Sequence, residues 1–153
     1  MEGNIYDFFQ VNENDPLVFS FNSVGIRNIK KIVTFENGGS FGGKIEIDNL
    51  VLSDEKEDGT LDAEIDSNNG DILKVLDTVA AILKYYLSIT ENRAVYIKGA
   101  DNRRINVYHW RIERLMRKSE TPFLIVGQKE INAPFELLDK NEDYVGFLVI
   151  PQG

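Results

Sequence analysis

Strand-forming residues and short polar breaks alternate through the first third of the chain. Residues 17–21 (Leu-Val-Phe-Ser-Phe) are rich in strand formers. Residues 29–35 put Ile29, Lys31, Val33 and Phe35 on one face and Lys30, Ile32 and Thr34 on the other. In 44–52, Ile45, Ile47 and Asn49 alternate with polar neighbours. A period of two predicts half-buried strands, here an antiparallel meander. Residues 36–43 hold four glycines and read as a hairpin tip.

The period then changes. From about Asp71 to Ser88, Ile72, Val75, Leu76, Val79, Ala80, Leu83, Tyr86 and Leu87 form a broad stripe at helical spacing. Asn68 or Asn69 is placed to cap this helix, with Asp71 in its first turn. Residues 93–98 (Arg-Ala-Val-Tyr-Ile-Lys) predict a strand, free to run parallel to one neighbour. A tight turn at 99–102 leads into a second helix over about 102–118, with Ile105, Tyr108, Ile112, Leu115 and Met116 on its apolar stripe. Residues 123–128 and 143–150 are the last two strands, and 61–65 is a further short one. This order predicts an α+β fold. The sheet is mostly antiparallel and twisted, of about six or seven strands, with two helices packed on one face.

No composition shift or repeat divides the chain, so residues 1–153 read as a single α+β domain. That length supports a core without covalent staples. There is no cysteine, which removes disulfides, thiolate zinc sites and cysteine nucleophiles. No apolar run reaches the length of a membrane span, and residues 1–9 do not form a signal peptide. The cytoplasm is the expected compartment, without a membrane partner.

Charge changes the picture most. The second helix carries Arg103, Arg104, Arg111, Arg114, Arg117 and Lys118 against Glu113 alone, a balance of +5. The whole chain has a net charge of -8, so everything else carries -13. A cationic rod on an acidic body predicts a docking face for an anionic partner, either an acidic protein or a nucleic acid. The anion-binding residues expected are Gly99, Arg103, Arg104, Arg111 and Arg114. Gly99 would let a ligand approach the backbone, and the arginines would supply planar bidentate donors. Trp110 is the candidate for stacking on bases. The alternative is internal: the helix pairs with the acidic segment 54–71, which holds eight acids and one lysine, in the same chain or in a partner subunit. A homo-oligomeric structural subunit without a ligand follows from that alternative.

Other constellations point less far. Asp62, Glu64 and Asp66 would share one strand face, as hard-cation ligands do. An EF-hand is excluded, because a loop starting at Asp66 has Asp71 where glycine is needed and Asp77 where glutamate is needed. The 38–43 glycine loop joins strand to strand, and Lys44 is followed by Ile45, so it is not a P-loop. No cofactor or metal is expected. His109, the single histidine, is the weak candidate for an acid/base in a small phosphodiester- or nucleotide-directed enzyme. Such a role requires it to share a cleft with Arg104 and Asn106.

Four pieces of the chain together resemble a family of small, uncharacterised bacterial proteins of this length, a domain of unknown function. The first is Phe19-Ser20-Phe21 with Gly25-Ile26-Arg27 and Lys30-Lys31. The second is Asn49-Leu50, then Asn68-Asn69-Gly70-Asp71, Lys74-Val75-Leu76 and Thr78-Val79-Ala80. The third is Val95-Tyr96-Ile97-Lys98-Gly99 with Arg103 and Tyr108. The last is Tyr144 with Phe147-Leu148-Val149. Where the family has Gly-Ser-Thr before its arginine, this chain has Gly99-Ala100-Asp101. The resemblance implies the fold and no particular activity.

Overall fold

The computed structural model of the protein describes residues 4–41, 43–62, 69–99, 107–120, 123–139 and 141–152, with Phe41, Val107 and Tyr108 described for their backbone only. In chain order the elements are β1 (Phe8–Gln10), β2 (Val18–Val24), β3 (Asn28–Phe41), β4 (Ile45–Glu55), β5 (Leu61–Asp62), α1 (Ile72–Ile89), β6 (Arg93–Lys98), α2 (Val107–Arg117), β7 (Phe123–Gln128), β8 (Phe135–Leu137) and β9 (Gly146–Pro151). The fold is α+β, with a large and mostly antiparallel sheet.

The strands join in the order β1-β2-β3-β4-β6-β9-β7-β8, with β5 paired to β4. The β2-β3-β4 meander forms as the alternation predicts, with Phe19 opposite Val33 and Phe35 opposite Leu50. Its β3–β4 hairpin carries an irregularity between Asn37 and Ser40, at the glycine loop. β6 runs parallel to β4 and is reached through α1. β9 then inserts antiparallel between β6 and β7.

Among the described residues nine strands are seen, against the six or seven expected. The additional ones, β1 and β8, are three-residue edge strands. Segments this short carry too few alternations for a period of two to register. Among the described residues, no helix is long and apolar enough to cross a membrane.

Among the described residues the core forms two clusters. The larger joins Val75, Val79, Leu83 and Tyr86 of α1, Ile112 and Met116 of α2, and alternate strand residues including Phe19, Phe35, Val95, Phe147 and Val149. The smaller holds Ala94, Val126, Leu148 and Ile150, with Ile47, Tyr96 and Phe135 against it. β6 and β9 contribute to both clusters, so both of their faces are covered. That is why 147–150 reads as an unbroken apolar run rather than as an alternation.

The start of α1 differs from the expectation. Helix capping by Asn69 does not occur, and the N-cap is Asp71, without a side-chain capping bond. The Asp71 carboxylate instead accepts hydrogen bonds from the hydroxyls of Tyr6 and Ser23, both at 2.5 Å. Asn69 is buried and clamps the β2–β3 turn. Its side-chain oxygen accepts from the Arg27 N–H at 2.7 Å, and its Nδ2 donates to the Arg27 carbonyl at 2.8 Å. A Cβ on Gly25 would lie 1.8 Å from the Asn69 carbonyl oxygen, so only glycine lets the two segments meet. Polar residues before the helix therefore serve a tertiary contact, which competes with local capping.

Candidate functional site

The turn and the basic helix are the natural place to begin. Arg103 and Arg104 lie outside the described residues. Gly99 is buried, and its N–H donates to the Val145 carbonyl at 2.7 Å. That N–H is therefore already engaged within the fold.

On α2 the positive charges are partly met from within. Arg111 grips Asp77 of α1 with two parallel bonds, Nε to Oδ1 at 2.7 Å and Nη2 to Oδ2 at 3.0 Å. This bidentate pair holds the Arg111 pKa above its ordinary value. Arg117 donates to Glu113 one turn earlier at 2.8 Å. Arg114 and Lys118 are exposed, and no carboxylate among the described residues pairs with Arg114. Internal pairing of the helix is thus real for Arg111, but its partner is Asp77 rather than the 54–71 segment. Three of the carboxylates described in that segment pair with other cations: Asp54 with Lys31 at 2.5 Å, Glu55 with Lys30 at 3.6 Å and Asp62 with Lys56 at 3.7 Å.

Two further candidates are placed by the same helix. Trp110 is half-buried and packs against the larger core cluster, edge-on to Tyr144 with ring centroids 6.2 Å apart. One side of its ring is thus engaged in packing. His109 is partly buried, and desolvation lowers its pKa below the ordinary 6.5. Arg104 and Asn106, with which it would have to share a cleft, lie outside the described residues. So do Glu64 and Asp66 of the carboxylate trio. Among the described residues no group of three or more histidines and carboxylates is placed to hold a metal ion.

A different site stands out: an open cavity of about 370 Å³ lined by Asp15, Pro16, Phe35, Glu36, Asn37, Glu46, Asp48 and Arg93. Asp48 lies on β4 and is only 1% exposed. One of its oxygens, Oδ2, accepts hydrogen bonds from the fully buried Tyr86 hydroxyl of α1 and from Nη1 of Arg93, the latter at 2.9 Å. Arg93 Nη2 reaches on to Asp15 at 2.7 Å. Tyr86 in turn stacks flat on Phe35, with centroids 3.8 Å apart. Burial, and the carboxylate beside it, raise the Tyr86 pKa well above its ordinary value, so the phenol stays protonated as donor. The hydrogen bond to Asp48 likewise raises the pKa of Arg93.

The other oxygen of Asp48, Oδ1, is buried with no hydrogen-bond partner. An orphaned, buried carboxylate oxygen is costly. The residue that carries it also lines the open cavity. The cavity's charged residues are four carboxylates against one guanidinium, a formal balance of -3. Both terminal nitrogens of that guanidinium are already turned to Asp48 and Asp15. The charge lining this cavity is thus mostly negative, the opposite of that on the basic helix.

Sequence reasoning missed this group, although one signal was present. Asp48 shares its strand face with Leu50 and Leu52, which pack against the larger core cluster. A charge in phase with core residues marks either a buried pair or a site.

A family model described as a family of unknown function (DUF6934) matches residues 2–152. No curated protein and no solved structure matches the chain.

Proposed function

We propose that this chain, which belongs to the family of unknown function DUF6934, is a single-domain binding module whose ligand is an organic cation, an ammonium or guanidinium, held in the Asp48 cavity. The orphaned Oδ1 of Asp48 carries this reading. A donor bearing positive charge satisfies that oxygen and the acidic rim together. Glu36 and Glu46 are exposed at the rim and draw the cation in, while Phe35 and Pro16 offer apolar contact to its carbon skeleton. The volume is within the range of small-molecule sites. Both helices are taken to lie on one face of the sheet. The crossovers β4-α1-β6 and β6-α2-β7 advance the same way along it, and right-handed connections then leave both helices on the same side.

Isothermal titration with agmatine and putrescine, each compared with sodium chloride at equal ionic strength, tests the proposal. Saturable binding of at least one amine is expected. Glu36→Gln combined with Glu46→Gln should weaken it roughly fivefold, as two exposed charge contacts warrant. Both side chains are exposed, so the fold should persist. Heats no different from those of the salt would overturn the reading.

One observation favours a second reading. Arg114 and Lys118 project from α2 as exposed cations, and they would dock an acidic protein or a nucleic acid. Trp110 fluorescence, followed against single-stranded RNA, duplex DNA and polyglutamate at low and moderate salt, should then report salt-sensitive binding. Arg114→Glu with Lys118→Glu should abolish it. An unchanged titration in that variant would exclude this face.

A further inference from the structure

The second orphaned carboxylate oxygen lies elsewhere. Glu113 of α2 is 2% exposed, and its Oε1 is buried without a hydrogen-bond partner, while Oε2 receives Arg117 at 2.8 Å. Glu113 and Arg117 both line a groove of about 480 Å³, whose other walls are Trp110, Phe123, Leu124, Ile125, Leu137 and Leu138. The groove thus lies between α2, β7 and the chain at the end of β8. Leu137 is 73% exposed and Leu124 is 38% exposed, large apolar side chains left open at its edge.

We infer that this groove is a second binding site, for a small neutral apolar molecule bearing one hydrogen-bond donor, such as an alcohol or a phenol. The charge balance fixes neutrality, because Glu113 and Arg117 already form an ion pair and an added cation would find no uncompensated charge. The walls fix the apolar body, since six of the eight lining residues are hydrophobic. The orphaned Oε1 fixes the donor. A carboxylate can only accept, so an occupant that also only accepts leaves the oxygen unsatisfied. The inference goes beyond the Asp48 reading and rests on different residues.

Trp110 is the single tryptophan and lines the groove, so its fluorescence reports occupancy in the intact protein. Cyclohexanol and cyclohexanone are the probes: nearly equal in shape, but only the alcohol donates, and the ketone's weak carbonyl absorption in the region of tryptophan excitation is corrected against free tryptophan titrated alongside. The alcohol should give a saturable change and bind about tenfold more tightly than the ketone, the size expected for one buried acceptor satisfied or not. Glu113→Gln presents an amide that can also donate, and it should narrow or reverse that preference. Leu137→Asp, at an exposed position, should weaken both probes and leave the fold intact. Absence of a saturable response to either probe would overturn the site. Equal affinity for the two, unchanged in Glu113→Gln, would overturn the role given to Oε1.

Discussion

Asp48 and Glu113 are both buried carboxylates with one oxygen bonded and the other orphaned, yet they sit in opposite surroundings. The bonded oxygen of Asp48 ties three elements together, because Tyr86 comes from α1, Arg93 from β6 and Asp48 itself from β4. The bonded oxygen of Glu113 reaches only Arg117, four residues along the same helix. Around Asp48 most of the remaining residues are charged or polar, with Phe35 and Pro16 beside them; around Glu113, Arg117 apart, they are apolar. The same chemical group therefore belongs to a tertiary tie in one place and to a local pair in the other. What each loose oxygen would accept follows from its neighbours rather than from the carboxylate.

That contrast makes its largest prediction for stability. Asp48→Ala leaves a fully buried phenol without its acceptor and Arg93, 24% exposed in its side chain, without its inner partner. Removing one partner from a buried charged network of this kind costs about 3–5 kcal/mol. Glu113→Ala frees Arg117, whose side chain is 45% exposed and can turn to water. It also deletes an oxygen that was already unsatisfied. Its cost should stay near 1 kcal/mol, of the order of an ordinary point substitution. Urea unfolding of the two variants decides the matter. Similar losses for both would erase the distinction between tie and local pair.

Much of the architecture was legible because it rests on repetition. The β2-β3-β4 meander, β6, β7 and α1 fall close to where their periodicities place them, and the parallel course of β6 beside β4 follows from the helix between them. The three-residue edge strands β1 and β8 were not legible, because pairing with a neighbour makes them strands and their own sequence does not. The site was the least legible part. Charge counting drew attention to α2, but counting treats each charge alone. Arg111 is answered by Asp77, 34 positions earlier, across a helix–helix contact that no spacing rule reveals. Asp48 and Arg93 are 45 residues apart and meet only because β4 and β6 become neighbours. Glu113 had a visible mark, since it adjoins Ile112 and lies three residues before Met116 on the buried stripe, where a lone acid is out of place. The charges that matter here are those in phase with the core, not those most numerous on a helix.

A smaller effect sharpens the same comparison through pH. In the Asp48 region, Tyr86 and Arg93 are both pushed away from neutrality, so neither titrates near it. The α2 region holds the one histidine, and burial lowers its pKa below 6.5. Once the pH drops below 6.5, the unfolded chain takes up a proton on His109 that the folded chain still refuses. The unfolded state then binds more protons, so stability falls as pH falls, from the unfolded pKa down to the depressed folded one. Above that window His109 is neutral in both states and contributes no slope. A single group of this kind can add at most about 1.4 kcal/mol per pH unit. His109→Gln removes the proton uptake without adding a charge. Its unfolding midpoint should therefore decline less steeply than that of the parent protein between about pH 6.5 and pH 5, and the two should run parallel above pH 7. Thermal unfolding of both proteins across that range is the measurement. Parallel curves throughout would show that the pH response of this fold does not come from His109.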